Sequence, residues 1–169
     1  VCLYGENGCG KSTVIETAAG LIPLENGSST ISGQLIRDSD GRRGRTGFGL
    51  CLQDDCVMGD VLVGERILDA AANDFDVTSL LKSWNLDHRI HDRVAMLSGG
   101  QRRKVALLSG LIPAMISTEP VAILLDEPDS GLDDDSVEKL AKTLRNLAAG
   151  GHAIIVASHD SRIVAAADR

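Results

Sequence analysis

Residues 1–13 read Val1-Cys2-Leu3-Tyr4-Gly5-Glu6-Asn7-Gly8-Cys9-Gly10-Lys11-Ser12-Thr13: a short apolar run, a glycine-rich turn, and the start of a segment with helical spacing. The nine residues from Gly5 fill the pattern GxxxxGK[ST] completely, between a strand and a helix, which is the context that gives the pattern meaning. Gly5, Gly8 and Gly10 allow backbone turns that aim successive N–H groups, those of Glu6, Asn7 and Cys9 among them, at one point. The following helix adds the partial positive charge of its N-terminus. A loop of this kind is suited to a polyphosphate. Lys11 is the cation for the terminal phosphates, the Ser12 hydroxyl a ligand for Mg²⁺, and Thr13 a contact for the phosphate nearest the sugar.

Outward from this loop the chain alternates. Gly10 to Leu21 has helical spacing and is stopped by Gly20 and Pro23. Ile31 to Ile36 and Thr46 to Leu52 read as strands, separated by the basic, glycine-containing stretch from Arg37 to Arg45, read as a solvated hairpin or loop. Val61 to Arg93 is mostly helical in pattern, and Gln101 to Leu111 is a further helix after a Gly-Gly pair. Val121 to Leu125 is an unbroken apolar run, the mark of a strand buried on both faces. Val137 to Ala149 is an amphipathic helix closed by Gly150-Gly151, Ala153 to Ala157 another buried strand, and Ser161 opens a last helix. Strands alternating with helices predict an α/β fold, a parallel sheet flanked by helices on both faces. Aromatics make up only 2% of residues, so that core must rest on Val, Ile, Leu and Ala.

The apolar run ends in Asp126-Glu127-Pro128. Acidic residues at the carboxyl end of a central strand point toward the ligand crevice of such sheets. Asp126 is the candidate for holding Mg²⁺, directly or through water. Glu127 is placed to polarise a water molecule. Two adjacent carboxylates are costly to bury without a cation, and Lys11 with the metal would offset that cost.

Composition narrows the classes. The 169 residues carry a net charge of −7, so no basic face for nucleic acid is expected. Cys2, Cys9, Cys51 and Cys56 show no CxxC spacing and are read as reduced thiols rather than metal ligands. No signal peptide and no apolar run of membrane-spanning length is present, so a transport role would require a separate membrane partner.

Leu97-Ser98-Gly99-Gly100-Gln101, followed by Arg102-Arg103-Lys104-Val105, resembles the LSGGQ signature of the ABC (ATP-binding cassette) ATPases, within the P-loop NTPase superfamily. Physically it is a second anion-binding nest ahead of a helix. Other family elements follow in order. Gln53 resembles the Q-loop glutamine, expected to contact Mg²⁺ and the attacking water. Ser130-Gly131-Leu132-Asp133 resembles the D-loop, and His159 the switch histidine that senses the γ-phosphate.

The resemblance implies a single partial cassette over 1–169: residues 1–53 and 98–169 form the nucleotide-binding core, and about 54–97 an inserted small helical subdomain. It implies ATP and Mg²⁺ as ligands and ATP hydrolysis. It also implies head-to-tail pairing with a second ABC ATPase domain, so that Ser98, Gly99, Gly100 and Gln101 serve ATP held by the partner. A transmembrane permease subunit would place the chain on the cytoplasmic, inner face of the membrane. The family's antiparallel N-terminal strands are largely missing. Their adenine-stacking aromatic is not expected to be Tyr4, which is read as part of the first strand. Asp129 stands where the family has a small or polar residue. The alternative is a non-transport ABC ATPase acting on ribosomes or DNA. Against the DNA-acting type, Gln53 to Leu97 spans only 44 positions with no heptad run.

Overall fold

A computed structural model describes residues 1–53, 60–71 and 75–168. Its strands are β1 (Cys2–Leu3), β2 (Ser28–Ile31), β3 (Gln34–Asp38), β4 (Gly49–Cys51), β5 (Ala122–Asp126) and β6 (Ala153–Ala157). Its α-helices are α1 (Lys11–Ala18), α2 (Val63–Ala71), α3 (Val77–Ser83), α4 (Gly99–Ile116), α5 (Asp134–Ala149) and α6 (Ser161–Ala165), with 3-10 turns at Asp87–Arg89 and Val94–Met96.

Four strands form one wholly parallel sheet in the order β1-β6-β5-β4, and β2 and β3 form a separate antiparallel pair. The alternation of side chains along β5 explains why its sequence is apolar throughout. Ile123 and Leu125 belong to the large core shared with α4 and α5, whereas Leu124 joins Ile15, Ala19 and Ala157 under α1. A strand covered on both faces has no polar side. The large core also takes in Val63, Ile67, Leu81 and Trp84, so the helices between Val63 and Ser83 share a continuous interior with the sheet.

The carboxyl ends of all four parallel strands lie on one edge, and each runs into a segment picked out from the sequence. β1 leads to the glycine loop, β4 to Gln53, β5 to Asp126-Glu127, and β6 to Ser158-His159. This is the edge at which open α/β sheets bind ligands.

Several sequence-based boundaries move. The strand expected over 31–36 is a hairpin that turns at Ser32-Gly33, both with positive φ (49° and 75°). Ser-Gly inside an apolar alternation is a turn signal that outweighs the run of β-formers. The strand expected from Thr46 to Leu52 pairs only over Gly49–Cys51. The helix expected to stop at Leu111 continues to Ile116 through Pro113. Burial of Leu111, Ile112 and Ala114 on either side of the proline compensates for the hydrogen bond it cannot make. α5 begins three residues earlier than expected because Asp133 caps it, accepting from the Ser136 N–H at 2.9 Å. Tyr4 lies beyond β1 rather than within it and is 72% exposed. No described helix is long and apolar enough to cross a membrane.

Candidate functional site

The glycine loop wraps the N-terminus of α1. Gly8 and Gly10 have φ of 82° and 97°, in the left-handed region that only glycine enters freely, and open space surrounds both. Gly5 is glycine for another reason: a side chain there would meet the Cys9 thiol at 2.9 Å. No side chain caps α1, so its first N–H groups, which have no intrahelical acceptor, are left to whatever occupies the space in front of them. Lys11 is 9% exposed, and its Nζ donates to the carbonyls of Gly5 (2.9 Å) and Glu6 (3.1 Å).

In front of the helix lies a cleft of about 430 Å³. One wall is the loop and first turn of α1 between Asn7 and Thr13, Cys9 excepted. The other is Gln53 and Glu127, brought from the ends of β4 and β5. Gln53 Nε2 donates to Glu127 Oε2 at 3.0 Å, joining the two arms of that wall. Glu127 is held at φ 43°, an unfavourable conformation for a residue with a Cβ, of the kind that costs roughly 1–3 kcal/mol. Its N–H donates to the Ala157 carbonyl at 2.8 Å.

Asp126 does not line the cleft. It is 2% exposed, and its Oδ1 has no hydrogen-bond partner among the described residues. An orphaned buried carboxylate oxygen is expensive, and a hard cation with water is the chemistry that satisfies it. Ser12 and Gln53, which line the cleft, carry the further oxygen atoms that could hold a magnesium ion there. Among the described residues there is no cluster of three or more His, Cys, Asp or Glu, so such an ion would take few protein ligands and leave positions for phosphate oxygens.

His159 is brought to the same edge of the sheet but not into the cleft wall. It is exposed, and its ring rests against Tyr4 with centroids 5.9 Å apart. Before it, the fully buried Ser158 donates to Asp129 Oδ1 at 2.6 Å and accepts from the Asp160 N–H at 3.0 Å. Asp129 is therefore engaged with the turn after β6.

Ser98, Gly99, Gly100 and Gln101 stand at the start of α4, outside the cleft. Ser98 and Gln101 form a reciprocal capping box: Ser98 N–H donates to Gln101 Oε1 at 3.0 Å, and Gln101 N–H to Ser98 Oγ at 3.3 Å. Gly100 lies against the chain at Gly131, whose carbonyl a Cβ would meet at 3.0 Å.

Two basic residues of α4 reach the site region without having been singled out in the sequence. The Arg103 guanidinium, 3% exposed, donates to the carbonyls of Leu52, Gln53, Asp126 and Glu127. Lys104 Nζ donates to Asp133 Oδ2 at 2.8 Å. That bond, with Ser136, holds the Asp133 carboxyl well below the usual carboxylate range. The signal was positional: residues 103, 107, 111 and 114 recur at helical spacing on the buried face, so Arg103 occupies a core position.

Comparison with known proteins identifies the family. Residues 1–130 match the family model described as ABC transporter. An uncharacterised ABC transporter ATP-binding protein of Mycobacterium bovis is 30% identical over 181 residues, covering 100% of this chain and 53% of that protein. The macrolide export ATP-binding/permease protein MacB of Psychrobacter cryohalolentis is 29% identical, covering 100% of this chain and 26% of that protein. A solved structure described as the ATP binding subunit of an ABC transporter superposes with a TM-score of 0.75 at 26% identity, over 94% of this chain and 67% of that one. The chain thus spans about half the length of the mycobacterial relative.

Proposed function

Because the chain belongs to the ABC transporter family, we propose that it binds and hydrolyses ATP as the nucleotide-binding unit of a membrane transporter, working through a separate permease on the cytoplasmic face of the membrane. The observation that carries the reading is the convergence of loop amides, Lys11, Ser12, Gln53 and Glu127 on one cleft from three strand ends.

The uncapped N–H groups of α1 and the loop amides would bind the phosphate oxygens. Lys11, now held by two loop carbonyls, would exchange them for the terminal phosphates. Ser12, Gln53 and Asp126 would hold a magnesium ion, which when bound supplies neutralising charge for the transferred phosphoryl group. Glu127 would accept a proton from the attacking water, with Gln53 fixing its carboxylate through the 3.0 Å bond. His159 would sense the terminal phosphate from the end of β6. Ser98 and the Gly99-Gly100 amides lie outside this chain's own cleft, which supports their serving ATP bound by a second cassette paired head to tail.

The test is magnesium-dependent ATP turnover by the complete protein, with Lys11→Ala and Glu127→Gln. Lys11→Ala should lose nucleotide affinity. Glu127→Gln should keep affinity, lose turnover and accumulate as an ATP-bound dimer. Absence of magnesium-dependent nucleotide binding in the unaltered protein would refute the reading.

A further inference from the structure

We propose that Arg103 is a positioning residue that fixes the Gln53 arm and the Glu127 arm of the cleft in register with each other and with α4. The inference rests on the hydrolytic reading above and adds to it a residue outside the cleft. One guanidinium nitrogen, Nη1, donates to the carbonyls of Leu52 (2.5 Å) and Gln53 (3.2 Å). The other, Nη2, donates to those of Asp126 (2.9 Å) and Glu127 (2.6 Å). The two pairs belong to chain segments that leave neighbouring parallel strands, β4 and β5, at the same edge. The planar fork therefore ties the two segments through their backbone, while the Gln53–Glu127 bond ties them through side chains at the cleft.

The guanidinium suits this task. Its donors diverge in a fixed plane, so two nitrogens can hold two acceptors each, which a point-charge ammonium cannot do. The carbonyls need such a partner. The β4–β5 ladder ends at Cys51↔Leu125, before Leu52, Gln53, Asp126 and Glu127. Glu127 in particular is held at a positive φ that its surroundings must enforce. Its N–H is fixed by Ala157, and its carbonyl by Arg103 together with the Ser130 N–H at 3.0 Å. Arg103 thus orients the Glu127 carboxylate without touching substrate. It sits five residues after Ser98 on the same helix, so a displacement of the helix start would be felt at both arms.

The experiment uses the complete protein with Arg103→Lys and Arg103→Gln, measuring ATP turnover, nucleotide affinity and amide hydrogen exchange. Misplacing reacting groups by about 1 Å costs on the order of 10²-fold in rate. We expect kcat to fall by about 10- to 10²-fold in both variants, with KM and nucleotide Kd within about twofold of the unaltered protein, because neither variant touches the glycine loop. Exchange should quicken in peptides covering 50–53 and 126–130 and stay unchanged over 5–13. Arg103→Lys keeps charge and stem and carries the test if Arg103→Gln does not fold. The inference is overturned if turnover is unchanged, if kcat and affinity fall together, or if neither variant folds, since Arg103 would then serve stability alone. Failure of the unaltered protein to hydrolyse ATP would instead sink the functional reading beneath it.

Discussion

Gly110 lies in the middle of α4, where helix backbone touches strand backbone. A Cβ there would stand 2.6 Å from the Leu50 carbonyl oxygen and 2.9 Å from its carbon, against 3.4 Å for ordinary contact. In return, a Cβ on Gly49 would stand 2.1 Å from the Gly110 oxygen. Two effects therefore oppose each other in Gly110→Ala. Alanine is the better helix former by about 1 kcal/mol. The obstacle, however, is a strand carbonyl rather than a flexible side-chain end, so α4 must retreat by about 0.8 Å. Overpacking of this kind costs about 1–3 kcal/mol. A gap of that width also forfeits between a quarter and a half of each dispersion contact along Leu107, Leu111 and Ala114. Strain wins, and the expected net loss is about 2 kcal/mol, a fall in Tm of roughly 4–8 °C for a chain of this length. Gly49→Ala should be worse, since the retreat needed there is about 1.3 Å. Thermal and urea unfolding followed by circular dichroism would measure both. If Gly110→Ala proves as stable as the unaltered protein, or gains the 1 kcal/mol that propensity alone gives, α4 does not sit directly on β4 and the reasoning is wrong.

Other perturbations separate stability from function. Ser98→Ala removes one half of the capping box and should lower stability by about 1 kcal/mol. It should leave nucleotide affinity of a single chain unchanged, because Ser98 is outside the cleft; a weakened affinity measured by calorimetry on the monomer would contradict that placement. Asp133, with its pKa depressed by Lys104, contributes charge-dependent stability that is present above the ordinary carboxylate range and lost as pH falls through its folded-state value. The stability gap between the unaltered protein and Asp133→Asn should then be flat from about pH 5 to pH 8 and narrow below about pH 4; a gap that widens in acid would reverse the sign. Ser158→Ala leaves Asp129 and the Asp160 N–H each without a partner and should cost about 1–3 kcal/mol in urea unfolding; a neutral substitution would mean that water replaces the hydroxyl there.

The sheet was legible because its strands are apolar on both faces and end in punctuation. Val121 to Leu125 could be read as a central strand, and the Gly5 to Thr13 loop located the ligand edge, since both signals are local. The hairpin over β2 and β3 was hidden because its strands are half exposed and polar, which left the Ser32-Gly33 turn as the one local clue. The length of α4 was hidden by Pro113, whose local cost is outweighed by burial that only the tertiary structure displays. Residues 54–59, including Cys56, and residues 72–74 lie outside the described parts of the chain, within the expected helical subdomain.

The candidate site divides along the same line. Lys11, Ser12, Gln53 and Glu127 were recognisable because each follows a strand in a recognisable order, and they do meet in one cleft. What holds them there was not recognisable, because it is made of backbone carbonyls, which carry no letter in a sequence. Arg103 looks like one basic residue among three after Gln101, and only the path of β4 and β5 shows four carbonyls waiting for it. The left-handed turn at Glu127 is equally silent, since the residue type argues against it. These features depend on one another. A glutamate forced to positive φ at the end of a buried strand needs its peptide groups tied down on both sides. In this fold the Ala157 carbonyl ties the Glu127 N–H, and Arg103 with the Ser130 N–H ties the Glu127 carbonyl; Arg103 comes from the helix that Ser98 caps. The strain at Glu127 and the burial of Arg103 are thus two halves of one arrangement, and relieving either should release the other.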